Sequence, residues 1–424
     1  MKNMKKFTTF IILLLGVLFG QAQNIQFTLL SSNSNEAVVR VDFGTYQTET
    51  VSVNGVEMQK LHMADAYPVL KAGSPELLQT AFSLIIPEGS SPEAEILDAQ
   101  YTTVEHFALA PSKGKLYRNV NPASIAYTTN QDYQADRYLL GNNVVPGEEY
   151  QLRDYHGMNF KVYPFDYNPT AQRLKIYSSV TVKVTFNGTR TMNVPVKNNR
   201  TFDAVYAGQF LNYKGLRGTP VTEEGDILII APEDFMVAMQ PYADWKIRNG
   251  FNTEIVSLAN AGSNANAIKS FILDYYNEHN LAFVIIVGDN AQFPTPTVSG
   301  NKSDNYFTEL VGNDSYPDII LGKISAENVA QVETQVQRFI EYELNPSETD
   351  HFPSFMGIAS NQGPGDNNEY DYQHIRNIDN KLQAYTYTSG YELFEGSQGG
   401  LDASGNPTAA MVSTAVNNGV GIIT

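Results

Sequence analysis

The sequence predicts two folded regions in one chain: an antiparallel β-sandwich, followed by an α/β domain with a mainly parallel sheet. Three observations carry this. From about Asn24 to Tyr213, apolar and polar residues alternate in short runs separated by Pro, Gly and Asn, with no long amphipathic helix. From Asp226 onward, continuous apolar runs alternate with helical stretches. Between the two, "YKGLRGTPVTEEGD" carries Gly, Pro, Thr and charges without periodicity, as a linker does. A chain of 424 residues has room for two or three cores.

In chain order, residues 1–22 come first. Lys2, Lys5 and Lys6 precede an apolar run from Phe10 to Phe19, then Gly20-Gln21-Ala22. The run is too short to span a bilayer and ends in small residues, so it reads as a secretory signal rather than a transmembrane segment. Residues 23–212 read as the sandwich, of roughly seven to ten strands. Its clearest strands are "EAVVRVDFG" and "LKIYSSVTVKVTFNG"; "QTAFSLIIP", "SIAYTT" and "NFKVYPFDY" are further candidates. Residues 213–226 form the linker, where Lys214 and Arg217 suit a trypsin-like processing enzyme.

Residues 227–424 follow the α/β grammar. "DILIIAP", "NTEIVSL", "AFVIIVGD" and "DIILGKI" read as strands, and "EDFMVAMQPYADWKIRNG" as a helix stopped by Gly250. "NANAIKSFILDYYNEHN" sets Ile268, Phe271, Ile272 and Tyr275 on one helical face. "SAENVAQVETQVQRFIEYELN" reads as a helix capped by Ser325. "SFMGIAS", the helix "YDYQHIRNIDNKLQAYT", "YELFEG", the helix "NPTAAMVSTAVNNG" and the opening strand "VGIIT" complete the pattern. Function in such sheets gathers at the carboxyl ends of the strands.

Composition narrows the chemistry. A formal charge of -17 argues against a nucleic-acid partner, which needs a basic footprint. With no cysteine, these residues offer neither a thiol nucleophile nor a thiolate metal site. Asp289 at a strand end, with Asp314 and Asp318 around a Gly-Asn-Asp-Ser-Tyr-Pro loop, has the oxygen-rich character that hard cations favour, although a solvated Asx-turn with no metal explains the loop more readily and no EF-hand spacing is present. "GPGDNNEYDYQHIRN" opens a helix with Asp366, Glu369, Asp371 and His374. First-turn acids suit the helix dipole, and Asp371 and His374 are spaced to pair; a histidine base there would need a nucleophile, for which Ser360 is the one candidate named by position alone. "SQGGLDASGNPT" lacks the lysine of a phosphate loop. The other histidines show no zinc spacing, and Trp245 reads as core.

The order of "DWKIRNGFNTEI", "VIIVGD", "SDNYFTELVGNDSYPDIILGKIS", "RFIEYE", "IASNQGPGDNNEYDYQHI" and "NNGVGII" resembles the gingipain family of secreted cysteine peptidases, from roughly Gly225 to Thr424. The region from Asn24 resembles that family's prodomain. The resemblance implies a caspase-like peptidase domain, incomplete at its C-terminus, made as a zymogen inhibited by its own prodomain and processed at Arg217. The catalytic His would lie in a turn after the strand "GVGIIT" and the Cys after the next, so these residues should be inactive alone. Protein or peptide substrates would be cut after Arg or Lys. Asp371 matches the acid at the base of the specificity pocket, where it would grip a guanidinium bidentately. Asp289, Asp314 and Asp318, with the carbonyls of Val311 and Tyr316, match ligands of a structural calcium; Asp318 stands where the family has Glu. Glu369 and His374 match part of a second cation site. Two other readings are a sortase-like transpeptidase of the same superfamily and a non-enzymatic adhesin or carbohydrate-binding module.

Overall fold

The computed structural model describes residues 24–117, 120–187, 199–213, 223–345, 351–364 and 369–424. The expected signal at 1–22, the processing residue Arg217 and Asp366 lie outside them.

Among the described residues, the N-terminal region holds eleven strands: β1 (Gln26–Ser32), β2 (Glu36–Asp42), β3 (Tyr46–Val53), β4 (Val56–Met63), β5 (Tyr67–Pro68), β6 (Leu78–Ile85), β7 (Glu93–Val104), β8 (Val144–Leu152), β9 (Tyr155–Val162), β10 (Phe165–Asn168) and β11 (Arg173–Thr185). One sheet runs β1-β2-β11-β10 with β7 also on β11, the other runs β5-β6-β9-β8, and β3-β4 form a separate hairpin. All these pairings are antiparallel. Side chains alternate across a strand, so register decides burial. Ala37, Val39 and Val41 of β2 lie opposite Val184, Val182 and Val180 of β11, all buried. They meet Phe82 and Leu84 of β6 and Phe160 and Val162 of β9 in one core, where Phe82 stacks on Phe160 at 5.3 Å.

Two local expectations fail here. "SIAYTT" is not a strand: Pro122 starts a single 3-10 turn, Pro122–Ser124, where the Asn121 side chain accepts from Ala123 N. The β region also ends in a helix, α1 (Arg200–Gln209), capped by Asn199, which accepts from Phe202 N at 3.0 Å. Phe202 and Tyr206 are four apart and fill its buried face, with Phe210 just beyond.

The α/β region begins with β12 (Asp226–Ala231), β13 (Thr253–Ser257) and β14 (Leu281–Val287). After a small hairpin, β15 (Thr297–Val298) and β16 (Asn301–Lys302), comes β17 (Ile320–Ile324). The four longer strands pair in parallel in the order β13-β12-β14-β17. In β12, Leu228 and Ile230 face the core under α3 (Ala265–Glu278), while Ile227, Ile229 and Ala231 face α2 (Glu233–Arg248) and α4 (Val329–Leu344). Burial on both faces is why this strand reads as an unbroken apolar run. A second parallel sheet, β19-β18-β20, is formed by β18 (Ser354–Ala359), β19 (Ser389–Phe394) and β20 (Ile422–Ile423), with α5 (Asp371–Tyr385) and α6 (Ala409–Asn417).

Gly250 does follow α2, at φ 92°, a conformation that suits glycine. The cap of α4 is Asn328 rather than Ser325: its side chain accepts from Gln331 N at 3.1 Å. Ser325 is too early because the chain is still extended there, with Ala326 O accepting from Asp289 N. Trp245 is not core: it lies half-buried between α2 and α4 and donates to Glu343 Oε2 at 2.8 Å.

Candidate active-site edge and the interdomain contact

The first turn of α5 meets the loop that leaves β18. Gln373 Oε1 accepts from Tyr370 N at 3.0 Å, fixing where the helix starts. Asp371 N donates to Gln362 O at 2.9 Å, so loop and helix are tied together. The half-buried Asp371 carboxylate accepts from Ser360 Oγ at 2.6 Å, and Ser360 Oγ in turn accepts from Gln362 N at 3.1 Å. Beside it, Glu395, just past β19, accepts from Asn361 N at 3.2 Å. The carboxyl edge of this sheet therefore carries two carboxylates around one short loop. Such an edge suits a cationic side chain.

The expected Asp371–His374 pair does not form. His374 Nδ1 lies 2.9 Å from Glu369 Oε2, whose other oxygen accepts from Asn377 Nδ2 at 2.9 Å. Glu369 and His374 thus come together, and Ser360 is committed to Asp371. A cavity of about 700 Å³ separates this turn of α5 from the β region, with His374, Asn377 and Lys381 on one wall and Lys60 and His62 of β4 on the other.

The Asp289, Asp314 and Asp318 set is divided between opposite ends of the sheet. Asp289 follows β14, and Asp318 precedes β17, which runs parallel to it. At roughly 3.3 Å per residue this puts about 20 Å between them, so one ion cannot be shared. Each group is also engaged locally. Asp289 Oδ1 accepts from Asn290 N. Asp318, fully buried, accepts from Leu310 N and Val311 N through Oδ2 and from Arg153 N through Oδ1. Asp314 accepts from Tyr316 N and from Gln151 N, the latter at 2.7 Å. In this arrangement the five residues do not fit a single calcium cage.

Gln151, near the end of β8, and Arg153, in the turn that joins β8 to β9, belong to the β region. Arg153 is 3 % exposed, with φ 51°. Its Nη1 donates to Leu281 O at 2.6 Å and to Asp318 O at 3.0 Å. The guanidinium sits over the rings of Phe202 and Tyr276, at 4.5 and 4.8 Å. Nε reaches Asp154, which also accepts from Tyr206 OH at 2.5 Å. Alongside, Tyr150 stacks on Tyr316 at 4.2 Å. Burial pushes the Asp318 carboxyl up to about 6; its backbone donors pull against that, and the charge of Asp314 adds to it. Nothing in the local sequence "QLRDYHG" marks Arg153 as an anchor, because its hydrogen-bond partners in the α/β region lie more than a hundred residues away.

A β-sandwich seated on an α/β domain whose carboxyl edge carries paired acids is the architecture the resemblance implies for a prodomain followed by a caspase-like domain. Residues 20–217 match the family model Propeptide_C25 and residues 221–424 match the model Peptidase family C25. The chain belongs to peptidase family C25, carrying both the family's propeptide and its peptidase region. It is 30% identical over 393 residues to Gingipain R2 of Porphyromonas gingivalis, covering 89% of this chain and 53% of that protein. Lys-gingipain of the same organism is 23% identical over 367 residues, covering 78% of this chain and 21% of that one. The chain thus spans about half the length, or less, of these curated relatives. Among solved structures, the Arg-specific cysteine proteinase gingipain R (RGPB) is 30% identical with a TM-score of 0.43, covering 49% of this chain and 48% of that one. A complex of RgpB pro- and mature domains from Porphyromonas gingivalis is 25% identical with a TM-score of 0.41, covering 45% of this chain and 97% of that one.

Proposed function

We propose that the chain serves a secreted cysteine endopeptidase precursor that hydrolyses peptide bonds after Arg or Lys and is kept latent by its own propeptide. The observation that carries the reading is Asp371, held at the carboxyl edge of β18 by the Ser360 hydroxyl and the first turn of α5. The helix N-terminus favours a charged carboxylate there, and a guanidinium or ammonium is its natural counter-ion. Ser360 and Gln362 fix the direction of the carboxylate, so these residues select and orient the substrate side chain. A cysteine peptidase attacks the scissile carbonyl with a thiolate, and no cysteine occurs among these 424 residues. The 424-residue chain is accordingly expected to show no turnover.

The export reading rests on Lys2, Lys5, Lys6 and the apolar run Phe10–Phe19. Among the described residues, no helix is long and apolar enough to cross a membrane. The binding-module alternative has one observation in its favour: Tyr101 on β7 is half exposed beside Tyr177 at 5.5 Å, with Lys175 over its ring. The product of the native gene, after activation, decides between them. Fluorogenic peptides with Arg or Lys before the cleaved bond should be hydrolysed, those with neutral residues much less, and thiol alkylation should abolish the activity. Hydrolysis indifferent to alkylation, or none at all with tight glycan binding, would overturn the proposal.

A further inference from the structure

We propose that the segment Gln151–Asp154, the end of β8 and the turn after it, is a latch that holds the propeptide at the amino-terminal edge of the β13-β12-β14-β17 sheet, and that the loop from Leu310 to Asp318 is its receptor. The latch lies at the opposite end of that sheet from the carboxyl edge where catalytic groups gather. Leu281 opens β14 and Asp318 stands just ahead of β17, and both accept from Arg153. Retention of the propeptide is thus physically separate from any blocking of the substrate site.

Four features make this a built contact. Arg153 is buried and carries several hydrogen bonds across the interface. Its guanidinium is held between a ring of α1 and a ring of α3, so both regions grip one cation. Gln151 N and Arg153 N, two residues apart, address Asp314 and Asp318 in turn. Finally, Asp318 satisfies the receptor loop itself through Leu310 N and Val311 N, so the loop that reads the latch is pre-shaped. A carboxylate this buried needs donors. While latched, Asp314 and Asp318 act as acceptors for the propeptide.

The latch requires that losing Arg153 loosens the amino edge alone. Amide hydrogen exchange on the intact chain tests this, comparing wild type with Arg153→Ala. Exchange should rise by about tenfold or more, one tenfold step being about 1.4 kcal/mol, in the segments 281–284 and 308–318. It should stay unchanged in 354–359 and 389–394, while 37–41 and 180–184 report an intact sandwich. Unchanged exchange at 308–318, or an equal rise throughout the α/β region, would overturn the latch. If Arg153→Ala does not fold, Arg153→Lys, which keeps the charge but loses the planar fork, is read by the same criteria.

Discussion

Asp371 and Asp379 share one helix and make opposite predictions. Asp371 is placed to receive a basic side chain, so Asp371→Asn in the activated native enzyme should lower kcat/KM on Arg substrates by about a hundredfold or more, the usual effect of removing one partner of a desolvated charge pair. Neutral substrates should change only a few-fold; equal losses on both would remove Asp371 from the specificity role. Asp379 is buried between α5 and the strands, at 1 % exposure. One oxygen accepts from Thr424 Oγ1 at 3.2 Å, and Oδ2 has no partner among the described residues. Burial raises its carboxyl to about 6, with Thr424 pulling downward and Glu392 upward. The folded chain therefore holds a proton that the unfolded chain has already released. The stability Asp379 contributes is full below the ordinary carboxyl value and is lost as the pH rises through about 6. A shift of this size corresponds to about 3 kcal/mol at most. Denaturant melts across this range should show Asp379→Asn more stable than wild type above pH 6, with no advantage in acid. A variant that is less stable at every pH would contradict the assignment.

At the scale of elements, Asn212 closes the end of a strand. Its side chain accepts from Ile85 N at 2.8 Å and donates to Ile85 O at 2.9 Å, as a neighbouring strand would, while Ile85 pairs with Gly157 on its other side. Asn212→Ala strands two buried backbone groups and should cost about 2–4 kcal/mol in urea unfolding. A loss below about half a kcal/mol would mean that water replaces the amide. Much of this level was legible in the sequence. The continuous runs of β12 and β14 and the alternation of β2 and β11 record burial directly, and Gly250 marks a helix end. α1 was legible in principle, since Phe202, Tyr206 and Phe210 repeat every fourth residue, but it follows a long β region whose alternation dominates. The division of the acidic set had a signal too. Asp289 comes after its strand and Asp318 before a parallel one, which puts them at opposite edges. Arg153 had none, because its meaning exists only once two distant regions meet.

At the scale of the molecule, the two regions share one cluster. Ile85, Tyr150, Leu152 and Tyr155 pack with Phe202, Tyr206, Phe210 and Tyr213 and with Ala282 of β14. An aromatic core continuous across the junction, fastened by Arg153, should hold the propeptide after the covalent link is gone. The direct measurement places a site-specific protease sequence at Arg217 in the intact chain, cuts it, and follows the products by size exclusion at neutral pH. A docked propeptide predicts that the two fragments co-elute as a one-to-one complex, and that Arg153→Ala releases them. Separate elution of the wild-type fragments would contradict the account.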